Sequence, residues 1–379
     1  MATQLVSIAL AIFTGIYVLL VCYMRAGWFA LPFYSRKKSP QTKVSVLIAA
    51  RNEEANIGRT LSDILAQQFP RDLLEVIVVD DHSTDNTSAI VQSFEEQGVK
   101  LLKLDESEPL NSYKKKAISV AIATATGDLI VTTDADCRMS PNWLATVVSY
   151  VEENGCFLVS SPVVYSNQRG FFEELQTLEF LFLIGLGAAG IGNKRPSTCN
   201  GANLAYRRDV FYEMDGFNGI DHLASGDDEL FLHKVAAKYP DKIGFCKSRD
   251  AIVYTDAKKD LIGFINQRRR WASKSTHYKN KGIVALGVAV WAFNFMLLVA
   301  GVFVLFFGNG TQLVSVFTAA LVAKLIAEGT FLYPLCHFAK RTGLLAYLPL
   351  LTIVHIVYIV YIGIAGNMGK YQWKGRRVN

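Results

Sequence analysis

Four stretches of the chain are predominantly apolar over lengths that no strand needs: Leu5–Tyr23, and roughly Ile283–Phe307, Leu313–Phe338 and Leu344–Gly366. Each is long enough to cross the hydrocarbon of a bilayer as a helix. A fifth apolar stretch, 171–190, carries Glu173, Glu174 and Glu179. That pattern suits an amphipathic helix lying in the membrane interface. Between the first span and the last three, residues 43–280 change rhythm. The runs opening "VSVLIAARNEE" (44–54) and "LLEVIVVDDHSTDNT" (73–87) and the segment "DLIVTTDAD" are continuous apolar strands, buried on both faces, that end in acids. "VKLLKL" is a shorter strand. "NIGRTLSDILAQQ" (56–68), "TSAIVQSFEEQG" (87–98) and "YKKKAISVAIATATG" (113–127) read as helices, the last two closed by Gly98 and Gly127. Strands alternating with helices predict an α/β domain on a mainly parallel sheet, with ligands at the carboxyl ends of the strands.

Composition sharpens the membrane reading. The 379 residues are 51% hydrophobic and 19% charged, more apolar than an ordinary soluble domain. Residues 1–24 contain no charge, no basic leader region and no small-residue cleavage site, so an uncleaved anchor over 1–30 is expected. Arg25, Arg36, Lys37, Lys38 and Lys43 follow it and place the 43–280 domain in the cytoplasm. The uncharged loop "GNGTQ" (308–312) fits the outside and the basic "AKRTG" (339–343) the inside. Four crossings then put the basic tail 368–379 outside, against its charge. A re-entrant last segment in 283–367 is the alternative. Six scattered cysteines without a Cys-x-x-Cys give neither a zinc site nor a disulfide framework, in keeping with a reducing compartment. The net charge of +6 suits anionic lipid and an anionic substrate.

The candidate chemistry gathers at the predicted strand ends: Glu53 and Glu54, Asp80 and Asp81, Asp134 and Asp136. Asp85 reads as a turn or cap residue. No Gly-x-Gly-x-x-Gly follows the first strand and no Gly-Lys-Ser/Thr loop occurs, which argues against a dinucleotide dehydrogenase or a P-loop NTPase. In an extended segment Asp134 and Asp136 point the same way across Ala135. Two such carboxylates suit Mg²⁺ or Mn²⁺ shared with a diphosphate.

Six segments in order resemble glycosyltransferase family 2, the large inverting family that includes cellulose, chitin and hyaluronan synthases and ceramide glucosyltransferase. They are "VSVLIAARNEE", "VIVVDDHSTDNT", "GDLIVTTDADC", "NGANLAYRRDVF", "SGDDELFLHK" and "QRRRW", and they span about residues 43–275. The resemblance implies a GT-A fold. It also implies that Ala50, Arg51 and Glu53 line a nucleoside pocket and that Asp80, with Asp81, contacts the base, usually uracil. Lys114 or Lys115 would sit near the nucleotide, Asp134 at the ribose and diphosphate, and Asp136 on the metal. Asp227 would be the general base, with Asp228 as its alternate; the family's usual Glu before it is Gly226 here. Gln267 and Arg270 would contact the diphosphate, and Trp271 the acceptor. Gly201, Ala202 and Asn203 would lie beside the donor sugar or acceptor. Arg268 and Arg269 read as part of a basic interfacial helix, Lys324 and Glu328 as a neutralising pair four apart on a buried helix, and His355 as packed.

The expected activity is a single inverting transfer from a nucleotide-diphosphate sugar, most simply a UDP-sugar, to a lipid-linked or glycolipid hydroxyl at the plasma membrane. A processive polysaccharide synthase is the alternative, with a pore shared between copies of the chain as homo-oligomer. A catalytically silent scaffold and a metal-dependent nucleotidyltransferase are the other readings. No nucleic acid partner is expected.

Overall fold

The computed structural model describes residues 2–105, 110–166, 168, 170–278, 280–307, 311–366, 371–373 and 376–378. The chain forms two compact units: Met1–Trp28 with Arg169–Gly185 and Lys258–Tyr371, and Phe29–Gln168 with Leu186–Ala257 and Gln372–Asn379.

The second unit holds the α/β domain. Its strands are β1 (Val44–Ala50), β2 (Leu74–Asp80), β3 (Val99–Lys103), β4 (Leu129–Asp134), β5 (Arg138–Met139), β6 (Leu158–Ser160), β7 (Val163–Ser166), β8 (Leu204–Arg207), β9 (Ile243–Phe245) and β10 (Val253–Asp256). The larger sheet runs β3-β2-β1-β4-β8-β6-β9. Four of its pairings are parallel; β8 is antiparallel to both β4 and β6. A smaller sheet orders β5-β10-β7. The apolar runs of β1, β2 and β4 are buried almost throughout, as a sheet covered on both faces requires. Register decides what matters next. Ala50 of β1 pairs with Asp80 of β2, and Ala49 with Asp134 of β4, so both acids flank the carboxyl end of β1.

The helices match the predicted positions but are shorter. With α1 (Ala2–Ala30) counted first, they are α2 (Ile57–Leu65), α3 (Thr87–Gln92) and α4 (Tyr113–Thr124); α5 (Trp143–Asn154) follows without a sequence expectation. Gly98 has φ 91 and ends the short turn after α3, as a left-handed terminator does. Gly127 does not close α4, which ends at Thr124 with Ala125 already extended. It is needed for space: a Cβ there would lie 2.5 Å from the Ser45 backbone nitrogen. β8 is the antiparallel strand in a sheet expected to be mainly parallel, and it leads directly into α7 (Arg208–Glu213). Asp209 sits in the first turn of α7.

The chain leaving α1 is strapped onto this unit. Lys247 Nζ donates to the Leu31 carbonyl at 2.9 Å, and Glu152 accepts from the amides of Gln41 and Thr42. Burial lowers the Lys247 pKa to about 8.

The first unit is helical. It holds most of α1, the first part of α6 (Phe171–Gly192), α9 (Leu261–Ser273), α10 (Lys281–Phe307), α11 (Thr311–Phe338) and α12 (Leu348–Ala365); α8 (Glu229–Lys238) belongs to the α/β unit. Among the described residues five helices are long and apolar enough to cross a membrane, α6 included. On α11, Lys324 and Glu328 are buried and ion-paired. Glu328 also accepts from Tyr17 Oη of α1 at 2.7 Å and from Thr352 Oγ1 of α12 at 2.9 Å. The pair is therefore neutralised and links three helices, which is how a charge becomes tolerable in an apolar bundle. His355 is buried and stacks on Tyr358.

Candidate functional site

The loops after β1 and β2 are laced together by side chains. Arg51 Nη1 donates to the carbonyls of Asp81 (2.7 Å) and His82 (3.0 Å). The Asn52 amide donates to Ser83 Oγ, and Asn52 Oδ1 accepts from the Thr84 amide at 2.8 Å. The Glu53 amide donates to Thr87 Oγ1, and Glu54 accepts from Asn86. Asp85 caps Thr87 and takes the Glu54 amide, the structural part expected of it. Asn52 and His82 sit at φ 50 and φ 53, a conformation L residues with side chains seldom adopt. Such strain needs an enclosing hydrogen-bond framework, and this one supplies it.

Several predicted pocket residues turn out to build that framework. Ala50 is buried and contributes its carbonyl to the Asp81 amide. Asp80 accepts from the Ser83 amide and from Ser88 Oγ, so both its oxygens are engaged. Asp81 is buried beside Arg51 and His82 Nδ1, the latter at 3.1 Å. Glu53 accepts from Asn56.

At the end of β4 the expected geometry changes. The strand stops at Asp134, and Ala135 and Asp136 form a turn closed by the Cys137 amide on the Asp134 carbonyl at 3.3 Å. Strand alternation therefore does not align the two carboxylates; a tight turn sets their relation. Burial and the two neighbouring aspartates push the Cys137 thiol well above its ordinary pKa, so it is an inert packing group.

Lys114, from the first turn of α4, joins this strand end to the acidic loop. Its Nζ is 2.8 Å from Asp134 Oδ1 and 3.4 Å from Asp227 Oδ2. Burial alone would lower its pKa, but Asp134, Asp227 and Asp228 outweigh that and hold it well above the usual lysine value. Two segments 93 residues apart in the chain thus meet at one ammonium. Lys115 does not share the site: it is buried, and its ammonium donates to the carbonyls of Leu223 and Ser225.

Gly226 has φ 88, and a Cβ on it would lie 2.8 Å from the Leu230 side chain. The departure from the family's Glu is therefore a backbone requirement. Asp227 follows with its side chain 12% exposed. Asp228 is spent as the cap of α8: Oδ1 accepts from the Glu229 amide at 2.6 Å and Oδ2 from the Gly201 amide at 3.0 Å. This favours Asp227 over its alternate. Gly201 lies against both acids, its missing Cβ only 3.3 Å from Asp227 Oδ2. Ala202 and Asn203 are buried. Asn203 accepts from Trp143 Nε1 and donates to the carbonyls of Pro162 and Ala251. Its polar atoms are engaged with the core, which corrects the expectation that it binds acceptor.

Gln267, Arg270 and Trp271 lie on α9 of the helical unit. There Arg268 is not an interfacial surface residue. It is 2% exposed and forks onto both oxygens of Glu179, through Nε at 3.1 Å and through Nη2. Its guanidinium lies 4.3 Å from the Trp271 ring centroid, and Nη1 donates to Gln267 Oε1 at 2.6 Å. Arg269 donates to the Ala365 carbonyl. The only hint of the Arg268 pair in the sequence is an acid placed mid-way along an apolar helix.

Known proteins resemble this chain over its α/β domain and beyond. Residues 45–215 match Glycosyl transferase family 2. The chain is 30% identical over 251 residues to the "Probable glycosyltransferase YdaM" of Bacillus subtilis, covering 64% of this chain and 57% of that protein. It is 29% identical over 279 residues to the "Beta-monoglucosyldiacylglycerol synthase" of Nostoc, covering 72% of this chain and 57% of that protein. The chain thus spans a little over half the length of these relatives. Among solved structures it is similar to the mannosyltransferase PcManGT of Pyrobaculum calidifontis, in complex with GDP-Man and Mn²⁺. The TM-score is 0.56 and the identity 22%, over 94% of this chain and 99% of that one. The mainly parallel sheet is the GT-A-type fold expected, and residues 45–215 are the part of the chain that resembles the family 2 glycosyltransferase domain.

Proposed function

We propose that the chain transfers a sugar from a nucleoside-diphosphate sugar to a hydroxyl of a membrane-held lipid-linked or glycolipid acceptor, with inversion at the anomeric carbon. The observation that carries this reading is the convergence of Asp134, Lys114 and Asp227 beside Gly201. It joins a diphosphate-binding strand end to a carboxylate able to act as base.

Asp227 takes the proton of the acceptor hydroxyl as the hydroxyl oxygen attacks the anomeric carbon. A carboxylate in hydrogen-bond reach speeds that step by roughly 100- to 10,000-fold. Lys114 offsets the negative charge that grows on the departing diphosphate. Asp81 and the laced loops hold the nucleoside. Gln267 and Arg270 bind the diphosphate, and Trp271 the acceptor, as the family resemblance implies. Among the described residues no group of three or more His, Cys, Asp or Glu could hold a metal. Asp134 and Asp136 nonetheless suit Mg²⁺ or Mn²⁺, which characteristically keep one or two carboxylates and take their other ligands from substrate phosphates and water. When bound, such an ion neutralises diphosphate charge and improves the leaving group.

The glucosyldiacylglycerol synthase relative and the apolar helices support a glycolipid or lipid-linked acceptor. The basic residues after α1 support a cytoplasmic catalytic domain at the plasma membrane.

The test is nucleoside-diphosphate release by the detergent-purified chain from UDP-glucose, UDP-N-acetylglucosamine and GDP-mannose, with and without Mn²⁺ or Mg²⁺. Metal-dependent release from one donor is expected. Asp227→Asn should lower it by about 100-fold or more while metal–nucleotide binding persists. Full activity of an Asp134→Asn/Asp136→Asn double variant would sink the reading. Extended polymer among the products would replace single transfer with processive synthesis.

A further inference from the structure

The two lysines that open α4 face different partners, and the second has no place in the chemistry above. Lys115 is 2% exposed. Its ammonium donates to the Leu223 carbonyl and, at 2.8 Å, to the Ser225 carbonyl. Those carbonyls belong to the segment that delivers Gly226 and Asp227. That segment needs holding. Gly226 turns through φ 88, and glycine loses more conformational freedom on ordering than any other residue. The segment 219–228 contains no strand or regular helix to fix it. A buried ammonium held by two carbonyl dipoles is costly to disengage, because an unpaired buried charge has no solvent to return to.

From this geometry we infer that Lys115 is the positioning residue for Asp227. It pins the backbone two residues before the base, while its neighbour Lys114 meets the Asp227 carboxylate directly. The α4 N-terminus therefore fixes the acidic loop twice, once through the main chain and once through the side chain. Lys115 sets where the base carboxylate stands without touching donor or acceptor. This rests on Asp227 being the base.

The experiment is a double-mutant cycle in the full-length detergent-purified chain. It reads nucleoside-diphosphate release from whichever nucleotide sugar the unmodified chain cleaves, with binding of UDP–Mn²⁺ and GDP–Mn²⁺ in parallel. Lys115→Met keeps the length and apolar stem of the side chain and removes its donors. Release is expected to fall by roughly 10- to 100-fold, up to the lower end of a general base's contribution, with nucleotide affinity unchanged within about twofold. In an Asp227→Asn background the same substitution should cost nothing further, because a residue acting only through Asp227 has nothing left to position. Lys115→Arg, which keeps the charge and donors, should recover part of the rate.

Full turnover in Lys115→Met would overturn the inference. So would a parallel loss of nucleotide affinity, which would make Lys115 a donor contact. An undiminished Lys115→Met penalty on top of Asp227→Asn would leave only a general structural role. If Lys115→Met does not fold, Lys115→Gln decides by the same three readings. An active Asp227→Asn variant would instead remove the assignment of the base itself, so the two failures are distinguishable.

Discussion

Small residues in this protein are placed by what stands next to them. Gly201 separates Thr132, whose hydroxyl donates to its carbonyl at 2.8 Å, from the carboxylates of Asp227 and Asp228. Gly201→Ala would put a methyl 3.3 Å from Asp227 Oδ2 and 3.4 Å from Asp228 Cβ. We expect it to lower turnover by about tenfold with a stability cost of about 1 kcal/mol, because a small displacement of a catalytic group is expensive in rate. Steady-state rates beside thermal melting would check both. Gly127→Ala should do the reverse. Its Cβ would meet backbone of β1, which cannot rotate away, and the expected cost is about 1–3 kcal/mol of overpacking with the active-site loops unaltered.

Glu75 gives a pH dependence with a defined sign. Burial alone would raise its pKa, but hydrogen bonds from Lys100, Ser45 and the Thr126 amide outweigh it and hold the carboxyl at about 2. A depressed folded-state pKa stabilises the fold above the unfolded value near 4.5, and that stabilisation is lost as pH falls toward 2. Glu75→Gln should therefore cost roughly 1–3 kcal/mol at neutral pH and little near pH 2, read from denaturant midpoints at the two pH values.

The helices show how one buried charge commits another. Glu179 on α6 and Arg268 on α9 exclude water from each other, and Tyr358 of α12 adds a hydroxyl 3.3 Å from Glu179 Oε1. Removing one partner strands the other in an apolar surround. Arg268→Ala or Glu179→Ala should each cost about 3–5 kcal/mol, whereas Glu179→Leu with Arg268→Met should cost far less, since an apolar pair replaces both charges. Thermal unfolding in detergent of the three variants would show whether the penalty is non-additive. Arg268→Ala also removes the cation from the Trp271 face and the donor from Gln267 Oε1, so α9 would lose the orientation of two motif side chains at once.

Helix α6 is the candidate span whose position relative to a membrane bears on the whole molecule. It qualifies as a crossing by length and composition. Yet the chain before it forms β4 and β6, the chain after it forms β8, and β8 pairs with both. A crossing at α6 would assign paired strands to opposite sides of a bilayer unless the polar segment 193–203 crossed back at once. This supports an interfacial α6. Single cysteines introduced at Gln97 and Asp250, both exposed, should then react with a membrane-impermeant reagent from the same side. Reaction from opposite sides would overturn it.

The apolar runs of β1, β2 and β4, the acids that end β2 and β4, and the long apolar helices were all legible in the sequence. Each depends on local periodicity and composition, which burial and the bilayer impose residue by residue. Asp134 stood out by its place at a predicted strand end, whereas Asp227 and Gly201 were marked only by the resemblance of their segments to family 2 motifs. Tertiary structure alone decided that Lys114 joins Asp134 to Asp227 while Lys115 turns to the loop, that Asp228 is consumed as a cap, and that Asn203 belongs to the core. It also decided that Arg268 is buried against Glu179, and that β8 inserts antiparallel between β4 and β6. Those outcomes depend on which groups distant in the chain compete for the same buried donors and acceptors, and no pattern along the chain records that competition.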